Sequence, residues 1–241
     1  MQQIYLPTIN STNAWLQQAL LEQQLPEGVL VYTSYQTNGR GQLTNVWESE
    51  KDKNLLFSML FTPVWLPVKD QFVLSQAVAL GVVRFLNKFQ AGFKVKWPND
   101  IYWNDKKIAG ILIENNLQGA VIGSSVVGIG LNINQMEFLS DAPNPVSLAQ
   151  ITGQTYSLQT CLTELQQTIW QAYLQAQHNP RQIRNDYLNV LYRYQTWAMY
   201  QDETGLFEGK ITDVENRGYL HVLSSNGQAK RYAFKEVHFV L

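Results

Sequence analysis

The side chains best suited to chemistry fall in one stretch, Lys96 to Glu114: Lys-Trp-Pro-Asn-Asp-Ile-Tyr-Trp-Asn-Asp-Lys-Lys-Ile-Ala-Gly-Ile-Leu-Ile-Glu. Lys96, Asn99, Asp100 and Lys107 give it two cations, an amide and a carboxylate, a set able to hold an anionic group. A third cation, Arg40, stands between Gly39 and Gly41. Glycines let a backbone come close to a ligand, and a guanidinium clamps phosphate with two parallel bonds. Ser11, Thr12 and Asn13 precede a helical run, where hydroxyls and amides bind polar ligand groups. Each signal also has a purely structural reading. Surface lysines are common on hairpins, Gly-Arg-Gly is often only a loop, and Ser, Thr and Asn are strong helix caps.

The elements that must position these residues are legible from periodicity. Phe93, Val95 and Trp97 alternate with Lys94 and Lys96, which is strand spacing. Pro98 stops that strand because it lacks a ladder N–H. Asn99 and Asp100 are expected at an exposed bend. Ile101–Trp103 reads as a second strand, Asn104 and Asp105 as a turn, and Lys107–Glu114 as a returning third strand. Gly110 inside it marks a close approach of a ligand or another backbone.

Upstream, Ile4–Leu6 and Gly28–Thr33 read as strands around a helix over Ala14–Leu21. Asn54–Phe61 is a strand apolar on both faces, and Phe72–Phe85 an amphipathic helix. Downstream, Val121–Asn134 is a strand region containing Gly-Ile-Gly-Leu-Asn-Ile-Asn, Ser147–Ile151 a short helix, and Leu158–Leu174 and Ile183–Tyr192 two longer ones. From about Thr196 the pattern changes to short strands and turns, with Asn226-Gly227 as a hairpin signal.

Composition narrows the function class. The chain has 241 residues, 45% hydrophobic and 15% charged, enough for a sizeable core. Its 18 basic and 19 acidic residues leave a net charge of −1, which argues against a nucleic-acid or membrane-surface binder. One cysteine, Cys161, excludes an intrachain disulfide and fits a reducing, cytoplasmic setting. It falls on an apolar helical face, as a buried filler would. No basic segment followed by an apolar run opens the chain, and no run approaches the roughly 20 residues of a membrane span. His178, His221 and His238 lack metal-ligand spacing, so no metal ligands are assigned.

Lys-Trp-Pro-Asn-Asp followed by Lys-Ile-Ala-Gly-Ile-Leu-Ile-Glu resembles the central signature of biotin–protein ligases. The resemblance runs from Ser11 to the C-terminus. It implies an α+β catalytic domain over residues 1–195, a mixed sheet flanked by helices, and a small SH3-like β-barrel over 196–241. It places Ser11, Thr12, Asn13, Gln36, Gly39, Arg40, Gly41, Gln42, Lys107 and Gly110 at the biotin site. Arg40, Trp47, Lys96, Asn99, Lys107 and Asn132 fall at the ATP site. Lys107 and Arg40 would carry the chemistry.

Two positions depart from the family pattern: Gln42 stands where many relatives have a second arginine, and Thr44 where many have a glycine. The loop therefore carries less positive charge. The implied reaction joins biotin to ATP, usually with Mg²⁺, and transfers biotin from biotinyl-5′-AMP to a lysine of a biotin carboxyl carrier domain. With no helix-turn-helix before Ile4, the chain reads as a ligase without a DNA-binding part. A lipoate–protein ligase shares the fold and adenylate chemistry and is one alternative. A non-enzymatic SH3-like interaction protein is another.

Overall fold

Alternation and burial explain the first sheet of the structure, a computed structural model that describes residues 1–41, 47–139 and 144–240. Its strands are β1 (Gln3–Ile9), β2 (Leu30–Gln36), β3 (Leu55–Phe61), β4 (Phe93–Lys96), β5 (Asp100–Trp103), β6 (Lys106–Gln118) and β7 (Val121–Leu131). They lie in the order β1-β2-β3-β7-β6-β5-β4. Only β1 and β2 pair in parallel; the other ladders are antiparallel. A parallel pair needs a crossover, and α1 (Thr12–Glu22) supplies it.

The two faces of this sheet are unequal. Leu30, Phe57, Met59, Phe61, Ile111, Val127 and Ile129 belong to one large core. It is built with α2 (Phe72–Leu86), α3 (Leu148–Thr152), α4 (Leu158–His178) and α5 (Pro180–Asn189). The alternate residues Val31, Leu60 and Val126 join Leu16 of α1 in a small second cluster. One short helix covers only part of that face, and the neighbouring part, over β6 and β7, stays open for a ligand. Burial also pushes the Cys161 thiol up to about 11, as expected of a filler.

Some expected boundaries shift for tertiary reasons. The bend expected at Asn99 and Asp100 is not exposed: Asp100 opens β5, both residues are half-buried, and Ile111 N donates to Asn99 O at 3.0 Å. The helix expected over Ile183–Tyr192 ends at Asn189. Beyond it Val95 N donates to Val190 O and Tyr192 N to Val95 O, both at 2.8 Å, so this segment pairs with β4 instead of coiling. The helix α1 starts at Thr12, two residues earlier than periodicity implied.

A second, five-stranded antiparallel sheet is formed by β8 (Trp197–Asp202), β9 (Gly205–Val214), β10 (Leu220–Ser224), β11 (Ala229–Tyr232) and β12 (His238–Phe239). Its order is β11-β10-β9-β8-β12. It occupies the place of the SH3-like module, but among the described residues no ladder joins β11 to β12, so it is not a closed barrel. Tyr200, Ile211, Val214 and Leu220 share the large core. Trp97 Nε1 donates to Gly218 O at 2.9 Å and Phe72 N to Asn216 O at 3.0 Å, which seats this sheet beside the Trp97 corner. No helix among the described residues is long and apolar enough to cross a membrane.

Candidate active site

Strand glycines make the floor of the site. Gly110 of β6 pairs with Gly130 of β7, and Leu112 with Gly128. A Cβ on Gly130 would lie 2.3 Å from the Trp47 indole, and one on Gly128 would lie 2.2 Å from Asn13 Oδ1. Side chains at these positions would therefore displace the groups that face the cavity. Gly128 and Gly130 are two residues apart, about 7 Å along the strand, so Asn13 and Trp47 mark two ends of one groove. The cavity above them measures about 360 Å³, within the range of small-molecule sites.

The Trp47 end is cationic. Lys107 reaches it through a register shift between β5 and β6: Ile101 pairs with Ala109, but Tyr102 pairs with Lys107. The extra residue, Ile108, is buried, and such a bulge re-aims its neighbours. Lys107 Nζ lies 2.7 Å from Asp100 Oδ1 and 5.7 Å from the Trp47 ring centre. Its backbone is clamped outside the sheet as well: Lys107 N donates to Asn144 O at 2.8 Å and Val146 N to Lys107 O at 2.9 Å. Asn99 Nδ2 donates to Ile111 O at 2.8 Å, tying the bend to β6.

Lys96 stands 4.8 Å from the Phe239 ring centre and 5.2 Å from that of Tyr102, with no ion pair among the described residues. Burial lowers its pKa; Asp100 opposes this, while Lys107 and Arg193 add to it. An arriving anion would relieve that strain. Arg40, exposed, and Gly41 line the same cavity.

The side chains that line the Asn13 end are neutral and polar. Ser11 takes the N-cap position of α1, yet its side chain makes no capping bond. Thr12 donates to Gln36 Oε1 through both N, at 2.8 Å, and Oγ1, at 3.2 Å. Ser58 Oγ lies 2.7 Å from Thr12 Oγ1 and 2.6 Å from Asn13 Oδ1. Asn13 Nδ2 donates to Glu114 Oε2 at 2.6 Å. These residues are more than caps: they form one network beneath a cavity.

The structure brings Ser11, Thr12, Asn13, Gln36, Arg40, Gly41, Trp47, Lys96, Asn99, Lys107 and Gly110 to one cavity wall. Gly39 lies just behind it, where a Cβ would be 2.8 Å from Trp47 O. Asn132 is not on that wall: it is buried, and its Nδ2 donates to Val146 O at 3.1 Å. There it steadies the segment that clamps Lys107. Gln42 and Thr44 lie outside the described residues.

Phe234, Lys235, Val237, His238 and Phe239 complete the lining. No local motif marks them, because they reach the cavity only when the second sheet docks. Ser58 and Glu114 were equally unmarked as site residues. Among the described residues no three His, Cys, Asp or Glu side chains form a metal site, and Asp100 is the one carboxylate on the described lining. The described lining thus offers no cage of carboxylates for a divalent cation.

A groove with a cationic end and a neutral hydrogen-bonding end, laid on a mixed sheet, suits an enzyme that joins an acid to a nucleotide. The family model of the biotin/lipoate A/B protein ligase family matches residues 5–132, and the chain belongs to that family. It is 28% identical to the bifunctional ligase/repressor BirA of Bacillus subtilis (strain 168), over 95% of this chain and 72% of the relative. It is 35% identical to BirA of Escherichia coli (strain K12), over 53% of this chain and 39% of that one. The biotin protein ligase of Aquifex aeolicus, solved in complex with biotin and ATP, superposes with a TM-score of 0.81 at 25% identity, covering 99% of both chains.

Proposed function

We propose that the protein is an ATP-dependent biotin–protein ligase, and the observation that carries this is the two-ended groove. Biotin has a neutral ureido ring at one end and a carboxylate at the other. The ring fits the Ser11–Asn13 and Gln36 end, and the carboxylate extends toward Lys107. A biotin carboxylate oxygen attacks the α-phosphorus of ATP; the bond from that phosphorus to the bridging oxygen breaks, and pyrophosphate leaves.

Both reactants are anions, so catalysis consists of positioning and charge neutralisation. Lys107 bridges the carboxylate and the α-phosphate, with Asp100 holding it in place. Arg40 and Lys96 hold the phosphates, and Trp47 lies beside the adenine. An acceptor lysine, as the free amine, then attacks the mixed-anhydride carbonyl, expels AMP and loses a proton. No protein nucleophile is required.

The acceptor is a lysine of a biotin carboxyl carrier domain, Mg²⁺ accompanies the ATP, and the setting is the cytoplasm. In this reading residues 1–195 form the catalytic domain, and residues 196–241 form a second domain that closes the nucleotide end.

Lipoate carries a dithiolane in place of the ureido ring and offers the Asn13 end no hydrogen-bond donors. ATP–pyrophosphate exchange is the test. Biotin should support it and lipoate should not. Exchange supported by lipoate alone, or by neither acid, would overturn the assignment.

A further inference from the structure

The polar end of the groove has a fixed polarity, and one residue outside the cavity lining sets it. Asn13 can present either its oxygen or its NH₂ group, since an amide side chain is free to turn over. Glu114 removes that freedom. It stands on β6 two residues beyond Leu112 and accepts from Asn13 Nδ2 at 2.6 Å. An ionised carboxylate only accepts, so it must meet the NH₂ group. Leu112 O, also an acceptor, lies 3.4 Å from the same nitrogen.

Both Asn13 N–H bonds are thereby spent, and Oδ1 remains as the group a ligand can use. Ser58 donates to Oδ1 at 2.6 Å but can equally accept, so it follows this orientation and does not dictate it. Gln36 is polarised the opposite way: its Oε1 already accepts twice from Thr12, and its Nε2 donates to no described residue. The groove end therefore offers one acceptor and one donor. That pair matches a ring in which N–H is bonded to C=O.

We infer that Glu114 is a specificity-determining positioning residue that sets the Asn13 amide to accept from a ureido N–H. This rests on the functional reading above. Glu114 does not touch the ligand. It is half-buried at a strand position where glutamine has the same shape, so Glu114→Gln changes the bonding and little else. A glutamine can donate or accept, so Asn13 becomes free to turn over.

The experiment compares wild type, Glu114→Gln and Glu114→Asp in biotin-dependent ATP–pyrophosphate exchange. Biotin and its two mono-N-methylated ureido analogues serve as substrates, and melting temperature checks folding. A lost directional bond to a buried polar group is worth about tenfold or more. Glu114→Gln should therefore raise the KM for biotin by about that factor, with kcat and the KM for ATP within about twofold. Wild type should discriminate against the analogue methylated at the nitrogen facing Asn13. That discrimination should collapse in Glu114→Gln and partly return in Glu114→Asp, which keeps the obligate acceptor. Unchanged biotin KM and discrimination in Glu114→Gln, or a parallel rise in the KM for ATP, would overturn the inference alone. Wild-type exchange that ignores biotin would overturn the functional reading and the inference with it.

Discussion

Lys107 and Asp100 lie 2.7 Å apart, both half-buried, at the cationic end of the groove. Lys107→Ala should lose adenylate formation by about 100-fold or more, the usual cost of removing a charge-stabilising group. The fold should survive, because the clamps to Asn144 and Val146 use only backbone atoms. Near wild-type exchange would sink the role given to Lys107. Gly128→Ala makes the opposite kind of change. Its Cβ would lie 2.2 Å from Asn13 Oδ1, so Asn13 must move. The expected cost is about 1–3 kcal/mol of stability, read by thermal denaturation. The KM for biotin should rise more than that for ATP; equal changes would mean that Asn13 does not meet biotin. The lysine was legible from its motif. The glycine was legible only as part of a strand region, since its packing partner Asn13 lies far away in the chain.

Elements place Arg40 where a ligand can cover it. It follows β2, is exposed, and lines the cavity. It is also the first lysine or arginine in the chain, so trypsin can cut nothing earlier and would release residues 1–40 as one fragment. Biotin with ATP should slow that cut well beyond ATP alone, as seen by mass spectrometry of a time course. Equal resistance with and without ligands would mean that Arg40 does not contact them.

In the second sheet, Glu215 accepts from Arg231 Nε at 2.6 Å and meets His221 Nε2 at 2.7 Å. The Arg231 bonds, opposed by burial and aided by His221, hold its carboxyl down at about 2 against an ordinary 4.5. A lowered carboxyl pKa stabilises the fold above the unfolded value, and that contribution is lost as pH falls from about 4.5 toward 2. Glu215→Gln should therefore be less stable than wild type at neutral pH, and the gap should close on acidification through that window. Urea melts at several pH values check this; a constant gap would refute it.

At the scale of the whole molecule, one cavity is built from two sheets. Lys235 and His238 lie beyond residue 230, yet line the same wall as Lys96 and Arg40. Lys235 has φ of 73°, in the left-handed region that favours glycine. Such a conformation costs a non-glycine residue about 1–3 kcal/mol and tends to persist at ligand sites. Lys235→Gly removes both the strain and the cation. The variant should melt no lower than wild type, while its KM for ATP rises about threefold to tenfold, the scale of one partly screened phosphate contact. A stable variant with unchanged KM would show that Lys235 serves the turn and not the nucleotide.

What the sequence determined by itself is local in the chain. Strand alternation located β4, because side-chain direction repeats every two residues; β3 was legible as an unbroken apolar run, and a turn at Asn104 and Asp105 separated β5 from β6. Short contiguous strings identified the family and about half of the residues on the cavity wall. Only the tertiary structure decided which residues across the chain meet. Glu114 acquires its partner Asn13 across 101 positions, and Ser58 reaches it across 45. The segment after α5 pairs with Val95 instead of continuing its helix, because β4 has an open edge there. Phe234 to Phe239 become a wall because the second sheet docks on Phe72 and Trp97. Periodicity cannot encode such pairings: they depend on register and on packing between elements far apart in sequence, which form only when the chain closes on itself.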